Sequence, residues 1–254
     1  MSTCAPIALQ LYTVRDMLKG DFGGIVRRVA DMGYIGVETA GFDAASPKEA
    51  GKLFKALGLT VTSAHMPLPL GEHRAEVLDA LQELNCSRIV SGMGPDAFTS
   101  TSRIKDSCSL FNEGNAVAEE NGLTFAIHNH WWEFQEVEGR YVYEVMLECL
   151  DPRIFFEIDT YWVKTAGPDP AEIVRKLGKR APLLHIKDGP CMAGEPMVAV
   201  GDGIVDFPSI VEAGKGSIEW MIVEMDQCAT DMMEAVEKSY AYLTGAGLAR
   251  GKKG

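Results

Sequence analysis

Four stretches decide the fold: LTFAIHNH (residues 123–130), RIFFEIDTYW (153–162), PLLHIKDG (182–189) and WMIVEMD (220–226). Each is a short apolar run of strand composition that ends in side chains able to bind a divalent metal. In a closed parallel barrel the carboxyl ends of the strands meet on one face. Residues far apart in the sequence are therefore predicted to share one site on that face.

Strand-like runs alternate with amphipathic stretches along the whole chain. Four more runs precede those quoted: PIALQLY (6–12), IGVET (35–39), LTVTSAH (59–65) and RIVSG (88–92). Helical spacing or capping signals predict a helix after each of the eight runs. The first helix is predicted to begin at residue 21 and the second at Ser46-Pro47. The other six are predicted at about 71–84, 101–121, 141–149, 170–178, 207–214 and 230–243.

Eight strand–helix units predict an α/β fold, a (β/α)8 barrel in one domain. The barrel is expected over residues 6–243, and the Gly- and Lys-rich tail 244–254 is expected to be flexible. An open doubly wound sheet is the alternative, although no GxGxxG motif opens the first helix.

The composition argues against several classes of partner. The chain has 254 residues, of which 46% are hydrophobic, and a formal net charge of −12. Nucleic-acid backbones and anionic membranes attract clustered Lys and Arg, so neither is an expected partner. No apolar run reaches the roughly 18 residues of a membrane span and no leader-like segment opens the chain, so a cytoplasmic location is expected. The six cysteines show no close spacing and are predicted to be reduced thiols.

One long loop interrupts the alternation. Residues 189–206, GPCMAGEPMVAVGDGIVD, separate the seventh strand from its helix. A loop of this length in a compact barrel is usually a lid or a segment that contacts substrate. We therefore expect Asp202, within it, to contact the substrate.

Four strand ends supply the predicted metal ligands, which are His128, Asp159, His185 and Glu224. A buried carboxylate without a cation is costly, and four such strand ends in succession favour one shared ion. Two imidazoles and two carboxylates suit Mn, Co, Fe or Zn better than Mg. Such an ion polarises a carbonyl and stabilises the enediolate formed when the neighbouring C–H proton leaves.

Proton transfer is assigned to three residues near these ends: Glu224, Lys187 and His130. Lys187 follows His185 by two residues and should face the same side of its strand. The alternative for Lys187 is a structural salt bridge to Asp188 or Glu157. His130 lies just past the fifth strand, where a general base could stand.

The remaining candidates are assigned to substrate binding: His65, Glu133, Trp162, Glu157 and Asp202. His65 closes the third strand, and its alternative is a purely structural role. Glu157 precedes Asp159 by two residues and should point the same way. Trp162 belongs with Trp131 and Trp132 to an aromatic rim that could pack on sugar C–H surfaces, or that could be ordinary barrel packing.

Seven motifs carry a resemblance that spans about residues 6–243. They are QLYTVRD (10–16), MGYIGVE (32–38), HNHWWEF (128–134), the strand ending in Asp159, LLHIKDG (183–189), GDGIVDF (201–207) and the strand ending in Glu224. Together they resemble the sugar phosphate isomerase/epimerase family of the xylose isomerase-like TIM barrel superfamily. That superfamily also includes ketose 3-epimerases, inosose dehydratase and apurinic endonucleases.

The resemblance implies a divalent metal at the ends of strands five to eight, which points to the same residues, His128, Asp159, His185 and Glu224. Ketose 3-epimerases carry a glutamate at the first of these positions, where this chain has His128. Epimerisation at one carbon needs a base on each face of the substrate, so His128 disfavours strict 3-epimerase chemistry. Apurinic endonucleases use extra His ligands, and this chain has only five His.

Three functions follow as hypotheses. The first is a metal-dependent isomerase or epimerase that acts on a sugar or sugar derivative through an enediolate. The second is a metal-dependent lyase or dehydratase acting on a keto-sugar or keto-inositol. The third is a non-catalytic sugar-binding barrel. The Asp202 carboxylate would repel phosphate, so an unphosphorylated sugar is favoured, and a homo-oligomer is expected because barrels of this kind often pair.

Overall fold

Eight parallel strands close into a barrel in the computed structural model, which describes residues 4–252. The strands are β1 (Ile7–Gln10), β2 (Gly36–Ala40), β3 (Thr60–His65), β4 (Arg88–Ser91), β5 (Thr124–His128), β6 (Phe155–Asp159), β7 (Leu183–Ile186) and β8 (Trp220–Val223). Each strand pairs with the next along the chain, and β8 returns to β1 with Ile7 opposite Met221. The predicted single (β/α)8 barrel is confirmed, and the open sheet is wrong.

Helices surround the barrel. They are α1 (Arg15–Met32), α2 (Pro47–Leu57), α3 (His73–Leu84), α4 (Thr101–Glu120), α5 (Val142–Cys149), α6 (Thr160–Ala166), α7 (Pro170–Leu177), α8 (Phe207–Ala213) and α9 (Met232–Gly245). The Ser46 hydroxyl and the Glu49 carboxylate form a capping box at α2, as the Ser-Pro signal suggests. No helix in residues 4–252 is long and apolar enough to cross a membrane.

Two elements differ from the sequence prediction. Helix α1 starts at Arg15 rather than near residue 21 and is broken at Asp21, whose φ of −152° and ψ of 75° are not helical. The short helix α6 was not predicted. It follows β6 without a loop, and the Asp159 carboxylate caps it by accepting a hydrogen bond from Trp162 N at 2.9 Å.

Small and branched side chains fill the lower part of the barrel interior. This cluster is separate from the main core, and its buried members are Ala8, Val90, Ala126, Leu183 and Ile222. Residues two positions further along a strand point to the same side. Alternation therefore places Gln10, His128, His185 and Glu224 above the apolar floor, at the carboxyl ends of the strands.

Residues of the tail predicted to be flexible form backbone hydrogen bonds with the barrel as far as Lys252. Arg250 O accepts a hydrogen bond from Ile7 N at 3.0 Å, and Arg250 N donates to Ala5 O at 2.8 Å. Lys252 N donates to Gly33 O at 2.8 Å. These bonds extend the start of β1 and close the amino-terminal face of the barrel. Residues 253–254 lie outside the described part of the chain.

The long loop, residues 189–206, folds around Asp188 at the end of β7. Asp188 is 1% exposed, and its carboxylate accepts hydrogen bonds from four backbone N–H groups at 2.9–3.1 Å: Gly189, Gly201, Gly203 and Val205. A Cβ on Gly203 would lie 2.1 Å from Asp188 Oδ1, so only glycine allows this approach. The loop is thus bound to the barrel rim at four points, unlike a freely hinged lid.

Candidate active site

A cavity of about 470 Å³ opens at the carboxyl ends of the strands. Five of the predicted site residues line it, along with aromatic and glycine residues from other strand ends. The lining consists of Tyr12, Ala40, His65, Gly92, Met93, Gly94, His128, His130, Trp132, Lys187, Glu224 and Asp226.

The structure brings the four predicted metal ligands together below this cavity. One donor atom from each of His128, Asp159, His185 and Glu224 lies within 4.8 Å of all the others, and all four residues are buried. Asp159 Oδ2, His185 Nδ1 and Glu224 Oε2 make no hydrogen bond of good geometry among residues 4–252, although the Lys187 ammonium lies close to both oxygens. Buried carboxylates need a cation, so the chemistry of this donor set fits a divalent ion, for whose place Lys187 competes.

Lys187 lies among the carboxylates on one side of this set. Its Nζ lies 2.8 Å from Glu224 Oε2, 2.8 Å from Asp226 Oδ2 and 3.1 Å from Asp159 Oδ2. Burial lowers the pKa of Lys187, but the three carboxylates outweigh it and raise the pKa well above the usual value. Lys187 is therefore an ammonium ion, and the suggested salt bridges to Asp188 or Glu157 are not the ones it makes.

A second group of side chains meets on the other side of the two shared histidines. We call Glu38, His65, His128, Glu157 and His185 the inner cluster. Glu157 Oε2 lies 2.6 Å from His65 Nε2, 3.1 Å from His128 Nδ1 and 3.1 Å from His185 Nε2. Glu38 Oε2 lies 2.6 Å from His185 Nε2 and 3.3 Å from His65 Nε2. Both residues predicted to bind substrate here, His65 and Glu157, thus contact the histidines of the predicted metal set.

Glu38 was not predicted to belong to the site. It lies on β2 in the run IGVET, is completely buried, and accepts hydrogen bonds from Gln10 Nε2 at 2.6 Å and from the Ser63 hydroxyl. Burial raises the pKa of Glu38, but His65 and His185 hold it well below the usual value. A glutamate among apolar residues of a barrel strand was the signal that could have identified it.

His130 and Glu133 lie on opposite sides of the segment that follows β5. The His130 ring stacks on Trp132 at 4.1 Å and faces the cavity. Burial, with a further contribution from Lys187, lowers the pKa of His130 to about 4, so the imidazole is neutral at pH 7. Glu133 instead lies behind the strand against Phe134, Met146 and other apolar residues, and does not line the cavity.

The last two predicted binding residues differ in their surroundings. Trp162 is 8% exposed, and its ring lies 5.4 Å from Lys187 Nζ. It therefore supports the lysine from below. Asp202 is exposed on the long loop and is not among the residues that line the cavity.

Burial of Glu133 predicts a pH-dependent loss of stability. Burial raises its pKa to about 8 in the folded chain, while Glu133 Oε2 accepts a hydrogen bond from His130 N at 2.8 Å. A raised folded-state pKa gives a stability contribution that is complete below the unfolded pKa and is lost as the pH rises towards 8. Each pH unit in this window costs about 1.4 kcal/mol.

Glu133→Gln should remove this slope, because the amide stays neutral and can still accept from His130 N. We expect the variant to be more stable than the parent by about 3.5 kcal/mol at pH 7, with the difference vanishing near pH 4.5. Urea denaturation from pH 5 to 8 measures it. Glu136→Gln, an exposed change three residues away, should leave the slope unchanged. Parallel pH profiles for Glu133→Gln and the parent would contradict a buried, neutral Glu133.

The comparisons with known proteins agree on the fold. The family model described as xylose isomerase-like TIM barrel matches residues 26–243. A sugar phosphate isomerase/epimerase from Parabacteroides distasonis is 26% identical with a TM-score of 0.84, covering 98% of this chain and 96% of that one. None of the curated protein sequences is significantly similar.

Two more distant structures share the fold at 14% identity. The probable 3-DHS dehydratase AsbF from Bacillus anthracis has a TM-score of 0.75 over 94% of this chain and 98% of its own. The IOLI protein with a bound zinc atom has a TM-score of 0.73 over 96% of this chain and 98% of its own. The fold thus occurs in proteins described as isomerases or epimerases and as a dehydratase.

Proposed function

Since the chain belongs to the xylose isomerase-like TIM barrel family, we propose that it is a metal-dependent isomerase or epimerase of a sugar or sugar derivative. The observation that carries this proposal is the buried histidine–carboxylate cluster beneath the open cavity. His128 and His185 are common to every ligand set there, with Asp159 and Glu224 as the predicted carboxylates. The description of the 26% identical neighbour as a sugar phosphate isomerase/epimerase supports the substrate class.

A bound divalent ion would polarise a substrate carbonyl and stabilise the negative charge that develops as the neighbouring C–H proton leaves. Glu224 and His130 are the residues able to take that proton. Burial raises the pKa of Glu224, but Lys187 and His185 hold it well below the usual value, so Glu224 is a carboxylate. His130 is a neutral imidazole. Lys187 is an ammonium ion. It therefore acts as a proton donor, or stabilises a developing oxyanion by its charge, rather than acting as a base.

The cavity favours an unphosphorylated sugar. Among the residues that line it, the one Lys or Arg is Lys187, and three carboxylates already surround its ammonium group. Phosphate binding uses unpaired cations or free backbone N–H groups at a helix start. Tyr12 and Trp132 supply aromatic faces on which the C–H surface of a sugar ring can pack.

An elimination reaction is the second candidate, and His128 is the observation that favours it. An imidazole at this strand end replaces the carboxylate expected for a two-base epimerase, while the Lys187 ammonium lies at the cavity floor, where it can protonate a leaving group. The protein would then be a lyase or dehydratase that removes water or an alcohol from a keto-sugar or keto-inositol. A probable dehydratase has the same fold, which is consistent with this second candidate.

One experiment separates the three hypotheses. The protein, with its metal content measured, is incubated in D2O with a panel of unphosphorylated aldoses, ketoses and keto-sugars, each paired with its phosphate ester. Isomerisation or epimerisation gives a product of unchanged composition that carries deuterium at the carbon that lost its proton. Elimination gives a product lighter by water or an alcohol. Tight sugar binding without deuterium exchange, and without stoichiometric metal, identifies a non-catalytic barrel and rejects the proposal.

Glu224→Gln is expected to lower kcat/KM by roughly 100- to 10,000-fold, because the amide cannot accept the substrate proton. The change keeps the side-chain volume. Initial rates on the best substrate of the panel measure the effect. Glu212→Gln is the matched control, since the Glu212 side chain is 73% exposed on α8. Full activity of Glu224→Gln would remove Glu224 from the mechanism.

A further inference from the structure

The inner cluster has the geometry of a coordination shell. Three imidazole nitrogens, His65 Nε2, His128 Nδ1 and His185 Nε2, lie around Glu157 Oε2 at 2.6–3.1 Å. Glu38 Oε2 lies beside two of these nitrogens, 2.6 Å from His185 Nε2 and 3.3 Å from His65 Nε2. Donor atoms bound to one ion at 2.0–2.2 Å are separated by roughly 3.0–3.4 Å in tetrahedral or octahedral geometry. The observed separations are close to this range.

The two carboxylates of the inner cluster have no lysine or arginine among their ionic contacts in the described residues. Glu38 and Glu157 are both 0% exposed, and their ionic contacts are to histidines. Glu157 Oε1 is buried and has no hydrogen-bond partner among residues 4–252. Two fully buried carboxylates with an unsatisfied oxygen are costly unless a cation lies between them.

The predicted ligands His128, Asp159, His185 and Glu224, which we call the outer set, differ from the inner cluster. Their two carboxylates are already paired with the Lys187 ammonium. The Lys187 ammonium contacts Asp159 Oδ2 at 3.1 Å and Glu224 Oε2 at 2.8 Å, the two oxygens that an ion would need. A divalent ion at that point would lie a few ångströms from a fixed positive charge in a buried environment, where like charges repel strongly. The inner cluster has no such lysine.

We infer that the divalent metal of this protein binds at the inner cluster, through His65, His128, His185 and Glu157, whose donor atoms all lie within 4.8 Å of one another. In this arrangement the far nitrogen of the ring, His185 Nδ1, lies 2.7 Å from Glu224 Oε2, so the Glu224 carboxylate can orient the ring as carboxylates behind metal-bound histidines generally do. Three nitrogen donors and one oxygen donor suit Zn, Co, Fe or Mn. The inference rests on the proposed metal dependence. It keeps His128 and His185 as ligands but replaces Asp159 and Glu224 with His65 and Glu157.

Metal binding without substrate tests it. The protein is stripped with a chelator, and Co(II) binding is titrated for the parent, His65→Gln and Asp159→Asn. His65→Gln should weaken binding at least roughly tenfold, whereas Asp159→Asn should stay within about threefold, because Asp159 contacts Lys187 and caps α6 but is not an inner ligand. Asparagine can still accept the capping hydrogen bond, so this variant is matched for the fold.

A spectroscopic measurement on the parent protein avoids any folding defect in the variants. Pulsed EPR of the Cu(II)-loaded protein counts coordinated imidazoles, and we expect three, whereas the outer set would give two. A count of two, or metal loss in Asp159→Asn but not in His65→Gln, overturns the inference. Absence of stoichiometric metal in the parent overturns it together with the proposed metal dependence. Three imidazoles without turnover on any sugar would reject the proposed isomerase and leave the inferred site standing.

Discussion

Lys187→Met is expected to lower the free energy of unfolding by about 3–5 kcal/mol, because it removes one partner from a buried ionic network. Lys187 is 1% exposed, and its ammonium group is shared by Asp159, Glu224 and Asp226. Methionine has nearly the same length and fills the same space, but it leaves the three carboxylates without their cation. The cost of the unpaired charge is largest at Asp159, because Asp159 is completely buried, whereas the Asp226 side chain is 35% exposed to water.

Urea denaturation at pH 7 measures this loss. Lys176→Met is the matched control: Lys176 pairs with Glu144 at 3.0 Å, but both side chains are more than a third exposed, so its removal should cost less than about 1 kcal/mol. The double variant Lys187→Met with Asp159→Asn should recover part of the lost stability, because one of the stranded charges is then neutral. Equal effects of the two lysine changes would show that the network around Lys187 is solvated.

The site residues at strand ends were predictable because two simple rules place them. Side chains alternate along a strand, and parallel closure brings all the carboxyl ends to one face. These rules suffice for His128, Asp159 and His185, whose strands end in conspicuous polar residues. Glu38 was missed although a glutamate among the apolar residues of β2 is a visible signal, because that signal alone does not say whether the carboxylate points into the barrel. Its role depends on Ser63 and His185 from other strands.

Partners across the fold could not be predicted in the same way. Asp188 follows Lys187 directly and seemed a natural partner, yet alternation points the two side chains in opposite directions, so Asp188 binds the loop and Lys187 the cavity. The tail has the composition of a fraying segment. Arg250 nevertheless forms backbone hydrogen bonds with the start of β1, which no local sequence pattern predicts.

His128 gains a physical explanation from Glu157. The resemblance to ketose 3-epimerases predicts a carboxylate at the end of β5, where this chain has an imidazole. Glu157, one strand along and opposite His128 in the β5–β6 register, places a carboxylate oxygen 3.1 Å from His128 Nδ1. The negative charge is thus retained but moved deeper into the barrel, away from the substrate face. A carboxylate in that position can hold a metal or orient His128, but it cannot act as a second base on the substrate.

Asp188→Ala is expected to destabilise the protein by about 3–5 kcal/mol and to release the long loop, residues 189–206. The Asp188 carboxylate is buried and accepts four backbone hydrogen bonds, the longest at 3.1 Å. Alanine leaves those N–H groups without an acceptor, and each unsatisfied buried donor costs about 1–3 kcal/mol unless water reaches it. The total is less than four full penalties because the loop can open and hydrate the donors. The loop should therefore loosen before the barrel unfolds.

Two measurements distinguish loop release from general instability. Urea denaturation gives the global loss, and limited proteolysis should cut Asp188→Ala within residues 189–206 while the parent resists. Asp188→Asn is the informative intermediate: one oxygen still accepts two N–H groups, but the amide NH2 faces the other two donors, so its loss should fall between parent and alanine. Glu195→Ala, exposed on the same loop, should change stability by less than about 0.5 kcal/mol. Proteolytic resistance of Asp188→Ala equal to the parent would mean that the buried apolar residues Met197 and Val200, rather than the carboxylate, hold the loop in place.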